Sequence, residues 1–313
     1  MVNLASMRLV PILAVLLAMG AASKAAAESA GALRVDCRGE RTQAPTVILE
    51  SGAFGTADDW ALVLPDLSSG GRVCAYDRGG VGESAPRAGG SDVTAIAEEL
   101  AGLLDRLGER GPVILVGHSN GALYAEAFAA LWPERVAGLV YVNGVTSNDI
   151  AEPLLLADLA RERRLANLAA DAGALGLAPI GAGAVVKSEG LPAEAAASKQ
   201  RALSSPTRLR VARNEDRAIV AGLFVTANLG GSSRAIPTVS IYGGPDPGST
   251  LASAWRRAEA APSERADRGW TLEAVGATHV SPLARDRAYV VAAVNWLRSI
   301  ASPGASPDAD VGH

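Results

Sequence analysis

The run Val113-Ile-Leu-Val-Gly-His-Ser-Asn-Gly-Ala122 decides how this chain is read. A short apolar, β-branched stretch leads into Gly117-His118-Ser119-Asn120-Gly121, and an alanine-rich amphipathic segment follows through Leu131. The order is strand, sharp turn, helix, with a serine at the apex. A turn of the form G-x-S-x-G is strained. Glycines on both sides let the backbone bend and let helix and strand pack closely. Such a turn lifts the Ser119 hydroxyl above the sheet as a candidate nucleophile. It points the Asn120 N–H, at the start of the helix, into the same space, where it can help hold an oxyanion. The competing reading is a tight strand-to-helix turn whose serine only caps the helix.

Outward from this turn, apolar strands alternate with helices. Leu33 to Cys37, Pro45 to Glu50, Arg72 to Tyr76 and Val136 to Val142 read as strands. Ala57 to Leu67 and a segment capped by Ser91 or Asp92 and running to Leu107 read as helices. Strands apolar throughout, separated by helices, predict a mostly parallel α/β sheet covered on both faces. From about 145 to 235 the alternation stops, and the sequence is helical in pattern and rich in Ala, Leu and Arg. That block is too long for a loop and reads as a helical cap inserted over the strand ends. Its Arg161, Arg163 and Arg164 read as a solvated helix face rather than a substrate clamp. Strands resume at Ile236 to Tyr242 and Trp270 to Val275, with helices at Ser249 to Ala260 and Ala284 to Ile300.

The domain plan is therefore a targeting segment over 1–27, a core in two parts over 28–144 and 236–300, the cap over 145–235, and a tail over 301–313. The amino terminus carries Arg8, an apolar run from Leu9 to Ala22, and Ala25-Ala26-Ala27 as a small-residue cleavage site before Glu28. The run is shorter than the ~20 residues of a membrane span, so a cleaved signal peptide is expected rather than a stable membrane anchor. The product would be exported, periplasmic or extracellular, with its mature end near Glu28. The Pro-, Ser- and Asp-rich tail lacks periodicity and reads as disordered.

Composition excludes several partners. The 313 residues carry a net charge of −4 and no Lys- or Arg-rich run, which gives no footing for nucleic acid or an anionic membrane. Aromatic residues are 4% of the chain, which does not indicate a carbohydrate-stacking groove. Two cysteines and three histidines argue against a closed zinc site. In an exported chain the even cysteine count suggests a disulfide.

A serine hydroxyl needs a base, most often histidine. The histidines are His118, His279 and His313. His118 adjoins the nucleophile and is expected to face away from it, and His313 ends the tail. His279 follows the last strand, at the sheet edge where ligands bind. Asp246, in Gly-Gly-Pro-Asp-Pro-Gly after the preceding strand, would orient the imidazole. Asp149 is the reserve, and Glu273, inside a strand, would not reach the edge. The second oxyanion donor is expected from Ser51-Gly52-Ala53-Phe54, with the Ala53 N–H preferred over that of Phe54.

Ser51-Gly52, Asp77-Arg-Gly-Gly-Val-Gly-Glu-Ser84, Gly-His-Ser-Asn-Gly, Asp246 and His279, in that order, resemble the α/β-hydrolase superfamily in its capped, exported bacterial branch. The resemblance covers nearly all of Leu33 to Ile300. It implies an eight-stranded sheet in which the second and fourth strands are neighbours. Cys37 and Cys74 fall on those strands, so the resemblance makes a disulfide between them geometrically feasible. With the motif residues above, it gives a serine esterase acting through an acyl-enzyme on a small ester, and the Leu- and Ala-rich cap suggests an apolar acyl or alcohol part. Ser119, His279 and Asp246 would be the triad, Asn120 and Ala53 the oxyanion donors, and no metal or organic cofactor would be required. Many relatives have His-Gly where this chain has Ser51-Gly52. Epoxide hydrolases and haloalkane dehalogenases of the superfamily have Asp at the nucleophile, which sets them apart from this chain. Two other readings stay open. One is an amide or peptide hydrolase using the same triad, with Glu152, Glu162, Glu189, Glu194 or Glu215 of the cap binding an amine. The other is a non-catalytic ligand-binding protein on the same scaffold. The sequence leaves the oligomeric state undetermined.

Overall fold

The computed structural model describes residues 33–87, 89–144, 146–147, 152–175, 189–244 and 249–301. The proposed signal peptide, Asp149, Asp246, His313 and nearly all of the expected tail lie outside the described residues.

Seven strands form one sheet: β1 (Val35–Arg38), β2 (Val47–Glu50), β3 (Val73–Tyr76), β4 (Val113–His118), β5 (Val136–Val142), β6 (Thr238–Gly244) and β7 (Gly269–Val275). Their spatial order is β1-β3-β2-β4-β5-β6-β7, with β1 antiparallel to β3 and every other pair parallel. This is one strand fewer, among the described residues, than the resemblance implies. The chain steps from β2 out to β3 and then returns across β2 to β4. The loops after β2 and β4 therefore diverge at a switch point, where open parallel sheets bind their ligands.

Alternation along the strands divides the core. Ile114 and Val116 of β4 join Val47, Leu49 and Val140 on one face, under Trp60 and the helices α1 (Val63–Ser68) and α8 (Ala288–Ala301). Leu115 joins Ile48 and Tyr141 on the other, under α2 (Val93–Leu107) and α3 (Asn120–Leu131). Each such Leu, Ile or Val side chain contributes roughly 1.5–3 kcal/mol by leaving water. The start of α2 obeys its sequence signal, since the Asp92 carboxylate accepts from the N–H groups of Thr94 and Ala95. Gly108 closes the helix at φ 72°. The structure corrects the amphipathic reading of α3. Asn120 through Ala129 are all buried, because α3 is enclosed by the sheet, α2 and an inserted helix.

Between β5 and β6 lie α4 (Pro153–Ala174), α5 (Ala193–Leu203) and α6 (Pro206–Asn228). α4 and α6 pack on each other, and α6 also packs on α2 and α3. The remaining helix, α7 (Thr250–Arg265), flanks β6 and β7. Cys37 and Cys74 sit directly opposite each other on β1 and β3 and are joined by a disulfide. No described helix is long and apolar enough to cross a membrane.

Candidate active site

Ser119 stands between β4 and α3 with φ 54° and ψ −120°. A non-glycine residue in this conformation is strained and persists only where its surroundings fix it. The fixing is visible. The Ser119 N–H donates to the Val142 carbonyl on β5 at 3.0 Å, and the Ser119 carbonyl accepts from Ala122 at 3.1 Å. A Cβ on Gly121 would lie 2.3 Å from the Glu50 carbonyl oxygen, so only glycine lets α3 approach the end of β2. A Cβ on Gly52 would meet the Ser119 Cβ at 3.0 Å. The loop after β2 is thus in contact with the turn after β4, as the switch point requires.

His279 lies in the loop after β7 and lines the same cavity as Ser119. Its position is set through its backbone. The His279 carbonyl accepts from the side-chain amide of Asn143 at 3.0 Å and from His118 Nε2 at 2.8 Å. A carbonyl only accepts, so the second bond requires the proton on Nε2 of His118. Asn143 is held in turn by Gly243, whose N–H donates to its Oδ1 at 2.9 Å. The expectation that His118 faces away from the site is corrected. Its buried ring lines the cavity, with its centroid 4.9 Å from that of His279. The bond from its Nε2 to the His279 carbonyl holds the ring on this side of the turn. Glu273 is within β7, paired with Arg256.

The loop expected to supply the second donor, Ser51 to Phe54, is held from beneath. The Ser51 hydroxyl accepts from Trp60 Nε1 at 3.0 Å and donates to the Thr56 carbonyl at 2.9 Å, so this side chain serves the loop's shape. Phe54 takes φ 54°. Arg78, fully buried, donates to the Ser51 and Gly52 carbonyls at 2.6 and 3.0 Å, to Glu50 at 2.6 Å and to Glu215 of α6 at 2.9 Å. Burial alone would lower the Arg78 guanidinium, but Glu215 and Glu50 hold it well above its ordinary value. Burial pushes the Glu50 carboxyl up, against the opposing pull of Arg78 and Tyr76. Such a cluster is tolerable away from water only because its charges are paired and hydrogen-bonded.

The cavity has a volume of about 810 Å³, within the size range of small-molecule sites. Gly52, Ala53, Ser119, Asn120 and His279 share its wall with residues of α4 and α7. The solvated reading holds for Arg161, 67% exposed and paired with Asp158, and for exposed Arg164. It fails for Arg163, which is 12% exposed, lines the cavity and pairs with Asp216. Arg163 also donates to Asn120 Oδ1 at 2.5 Å. Lys199 of α5 pairs with Asp59 in the same wall. On α7, partly buried Glu259 faces the cavity, and burial pushes its carboxyl up to about 8, against the pull of Arg256. At neutral pH this one carboxyl therefore keeps its proton, beside the paired charges of Arg163, Asp216, Lys199 and Asp59. No three His, Cys, Asp or Glu side chains are grouped to hold a metal among the described residues.

Sequence reading gave no role to Arg78, Asn143 and Asp216, and placed Arg163 on a solvated face. Only Arg78 carried a signal, as the charged member of a glycine-rich turn that follows a buried strand.

Comparison with known proteins agrees with this architecture. Residues 45–266 match the model of the alpha/beta hydrolase fold family. A protein of Stutzerimonas stutzeri named as a carbamate hydrolase, RutD, is 38% identical over 105 residues. The bifunctional esterase/perhydrolase DCH of Acinetobacter calcoaceticus is 36% identical over 104 residues. Each match covers 33% of this chain, and they span 39% and 37% of the two relatives. A thermophilic esterase from Thermogutta terrifontis superimposes with a TM-score of 0.63 at 22% identity, over 87% of this chain and 94% of its own. That likeness concerns the fold alone. With 222 consecutive residues matched to one family, running from β2 through α7, the chain belongs to the alpha/beta hydrolases.

Proposed function

We propose that this protein is an exported serine hydrolase that cleaves a carboxylic ester through an acyl-enzyme. The observation that carries the reading is the strained Ser119 backbone at the wall of a cavity that His279 also lines. The Ser119 hydroxyl attacks the ester carbonyl while His279 takes its proton. Asp246 orients the imidazole. The N–H groups of Asn120 and Ala53 hold the tetrahedral oxyanion. Collapse expels the alcohol, which leaves with the proton from His279. Water then adds to the acyl-serine with the roles reversed and releases the acid. The apolar part of the wall suits an apolar acyl or alcohol group. A carbamate carbonyl offers the same electrophile, and the names of the two matched relatives include both chemistries. Helices α4 to α6 serve as the cap. The disulfide supports an oxidising compartment, and amino-terminal sequencing of the secreted protein should begin near Glu28.

The test is fluorophosphonate labelling of the mature protein beside Ser119→Ala, with acyl esters of rising chain length in parallel. Stoichiometric labelling that the substitution abolishes is expected. A folded protein that takes no label, but binds ligands, would be a binding protein on this scaffold.

A second reading, an amide hydrolase for amine-bearing substrates, draws on Glu162 and Glu189, which line the cavity. Glu215 is unavailable for that role, being occupied by Arg78 and Arg87. Aminoacyl anilides turned over faster than matched uncharged esters would favour it.

A further inference from the structure

Two consecutive side chains of the cap reach both sides of the candidate oxyanion hole. Glu215 and Asp216 lie in the middle of α6, and each is 2% exposed. Glu215 accepts from Arg78 Nε at 2.9 Å and from Arg87 at 2.8 Å. The same Arg78 guanidinium holds the carbonyls of Ser51 and Gly52, the residues that immediately precede Ala53. Asp216 accepts from Asn120 Nδ2 at 3.3 Å and from Asn167 at 2.8 Å, and it pairs with Arg163. Arg163 completes the ring by donating to Asn120 Oδ1. The Asn120 side chain is therefore bonded to two residues of the cap, Arg163 and Asp216, while its backbone N–H opens α3 beside the nucleophile.

We propose that Glu215 and Asp216 are positioning residues that lock the two oxyanion donors to the cap, so that the hole is assembled only when the cap is seated. This rests on the serine-hydrolase reading above. The physical case is that backbone donors act by preorganisation: their worth depends on where their N–H groups point before reaction. One donor is on a loop gripped by Arg78 and the other on a helix start gripped by Arg163 and Asp216. Both grips end on adjacent residues of one rigid helix. Neither carboxylate is placed to take part in proton transfer, since guanidinium or amide groups occupy both.

The test compares Glu215→Gln and Asp216→Asn with wild type and with Arg217→Gln, a control on the same helix whose charge pairs with Asp171 at the surface. Active sites are titrated with fluorophosphonate, so that kcat is counted per labelled site. KM for a short ester and the affinity of a trifluoromethyl ketone, which forms the oxyanion adduct, are read alongside. Full loss of one donor costs about 10²–10³ in kcat, so a loosened donor should cost about tenfold. The expected result is a kcat per site about tenfold lower, KM within about twofold, and inhibitor affinity weakened by the same factor as kcat. The control should match wild type. A purely structural role would lower the labelled fraction and leave kcat per site unchanged, which overturns the proposal. If Asp216→Asn fails to fold, Arg163→Lys supplies the result, because an ammonium cannot span Asp216 and Asn120 as the planar fork does. If Glu215→Gln fails, Arg87→Gln supplies it, because Arg87 holds Glu215 without touching the Ser51–Gly52 loop. Unchanged kcat and inhibitor affinity there would equally overturn it. A wild-type protein that takes no label sinks the serine-hydrolase reading itself, and this inference with it.

Discussion

The side-chain amide of Asn143 donates to the carbonyl oxygen of His279 at 3.0 Å, tying the end of β5 to the loop after β7. Asn143 itself takes φ 43°, a conformation asparagine tolerates better than most residues. Asn143→Gly keeps the backbone and deletes the tether. Fluorophosphonate labelling of this variant should slow by about tenfold, because the imidazole is less well placed, with circular dichroism unchanged. Labelling at the wild-type rate would mean that His118 alone fixes the loop.

Gly52 and Gly121 should respond differently to alanine. At Gly121 the new Cβ meets the backbone of β2 at 2.3 Å, which no rotamer can relieve. Gly121→Ala should cost about 1–3 kcal/mol in urea unfolding, as overpacked cores do. At Gly52 the neighbours are the Ser119 Cβ at 3.0 Å and the His118 carbonyl at 3.1 Å. A shift of a few tenths of an ångström accommodates the methyl, but it moves the nucleophile. Gly52→Ala should therefore fold and lose activity by about tenfold, since a full ångström of misplacement costs about 100-fold. Equal losses of stability in both variants would contradict the distinction.

What could be read from the sequence was local. The strand of Val113 to His118, the Asp92 cap, the Gly108 stop and the turn at Ser119 each depend on residues within a few positions. The position of His279 followed from the rule that parallel strands gather their loops at one edge. The buried charge network could not be read this way. Arg78 and Glu215 are 137 positions apart and Asn120 and Arg163 are 43 apart, so no periodicity links them. Arg161, Arg163 and Arg164 look alike in sequence, yet the rotation of α4 sends only Arg163 into the cavity. The side of the turn taken by His118 was likewise fixed by a distant partner, the His279 carbonyl. Asp246 and Asp149, read as alternatives for orienting the base, both fall outside the described residues.

The Cys37–Cys74 bridge closes a loop of 37 residues at the antiparallel edge of the sheet. The chain-entropy model gives about 4 kcal/mol of stabilisation for such a closure, through the unfolded state. The double Ala variant should unfold at lower urea with a somewhat steeper slope, because the uncrosslinked unfolded chain exposes more surface, and with kcat per labelled site close to wild type. The bridge lies at the outer strand pair, away from Ser119. A midpoint insensitive to reduction would remove the bridge from the stability account.

Glu259 makes stability and binding depend on pH in a defined sense. Its carboxyl faces the cavity from α7, and burial raises it from an ordinary 4.5 to about 8, with Arg256 opposing. Between these two values the folded protein keeps a proton that the unfolded chain has lost. Stability from this group therefore falls as pH rises through that window and levels off above it. Glutamine cannot ionise, so Glu259→Gln should melt with wild type near pH 4.5 and above it at pH 9. The same ionisation places a charge in the cavity wall. For an uncharged, apolar ester, KM of the wild type should rise above pH 8, while that of Glu259→Gln stays flat. A melting difference independent of pH would show that the carboxyl is already solvated in the folded state. A KM rise shared by both proteins would assign the titration to another group.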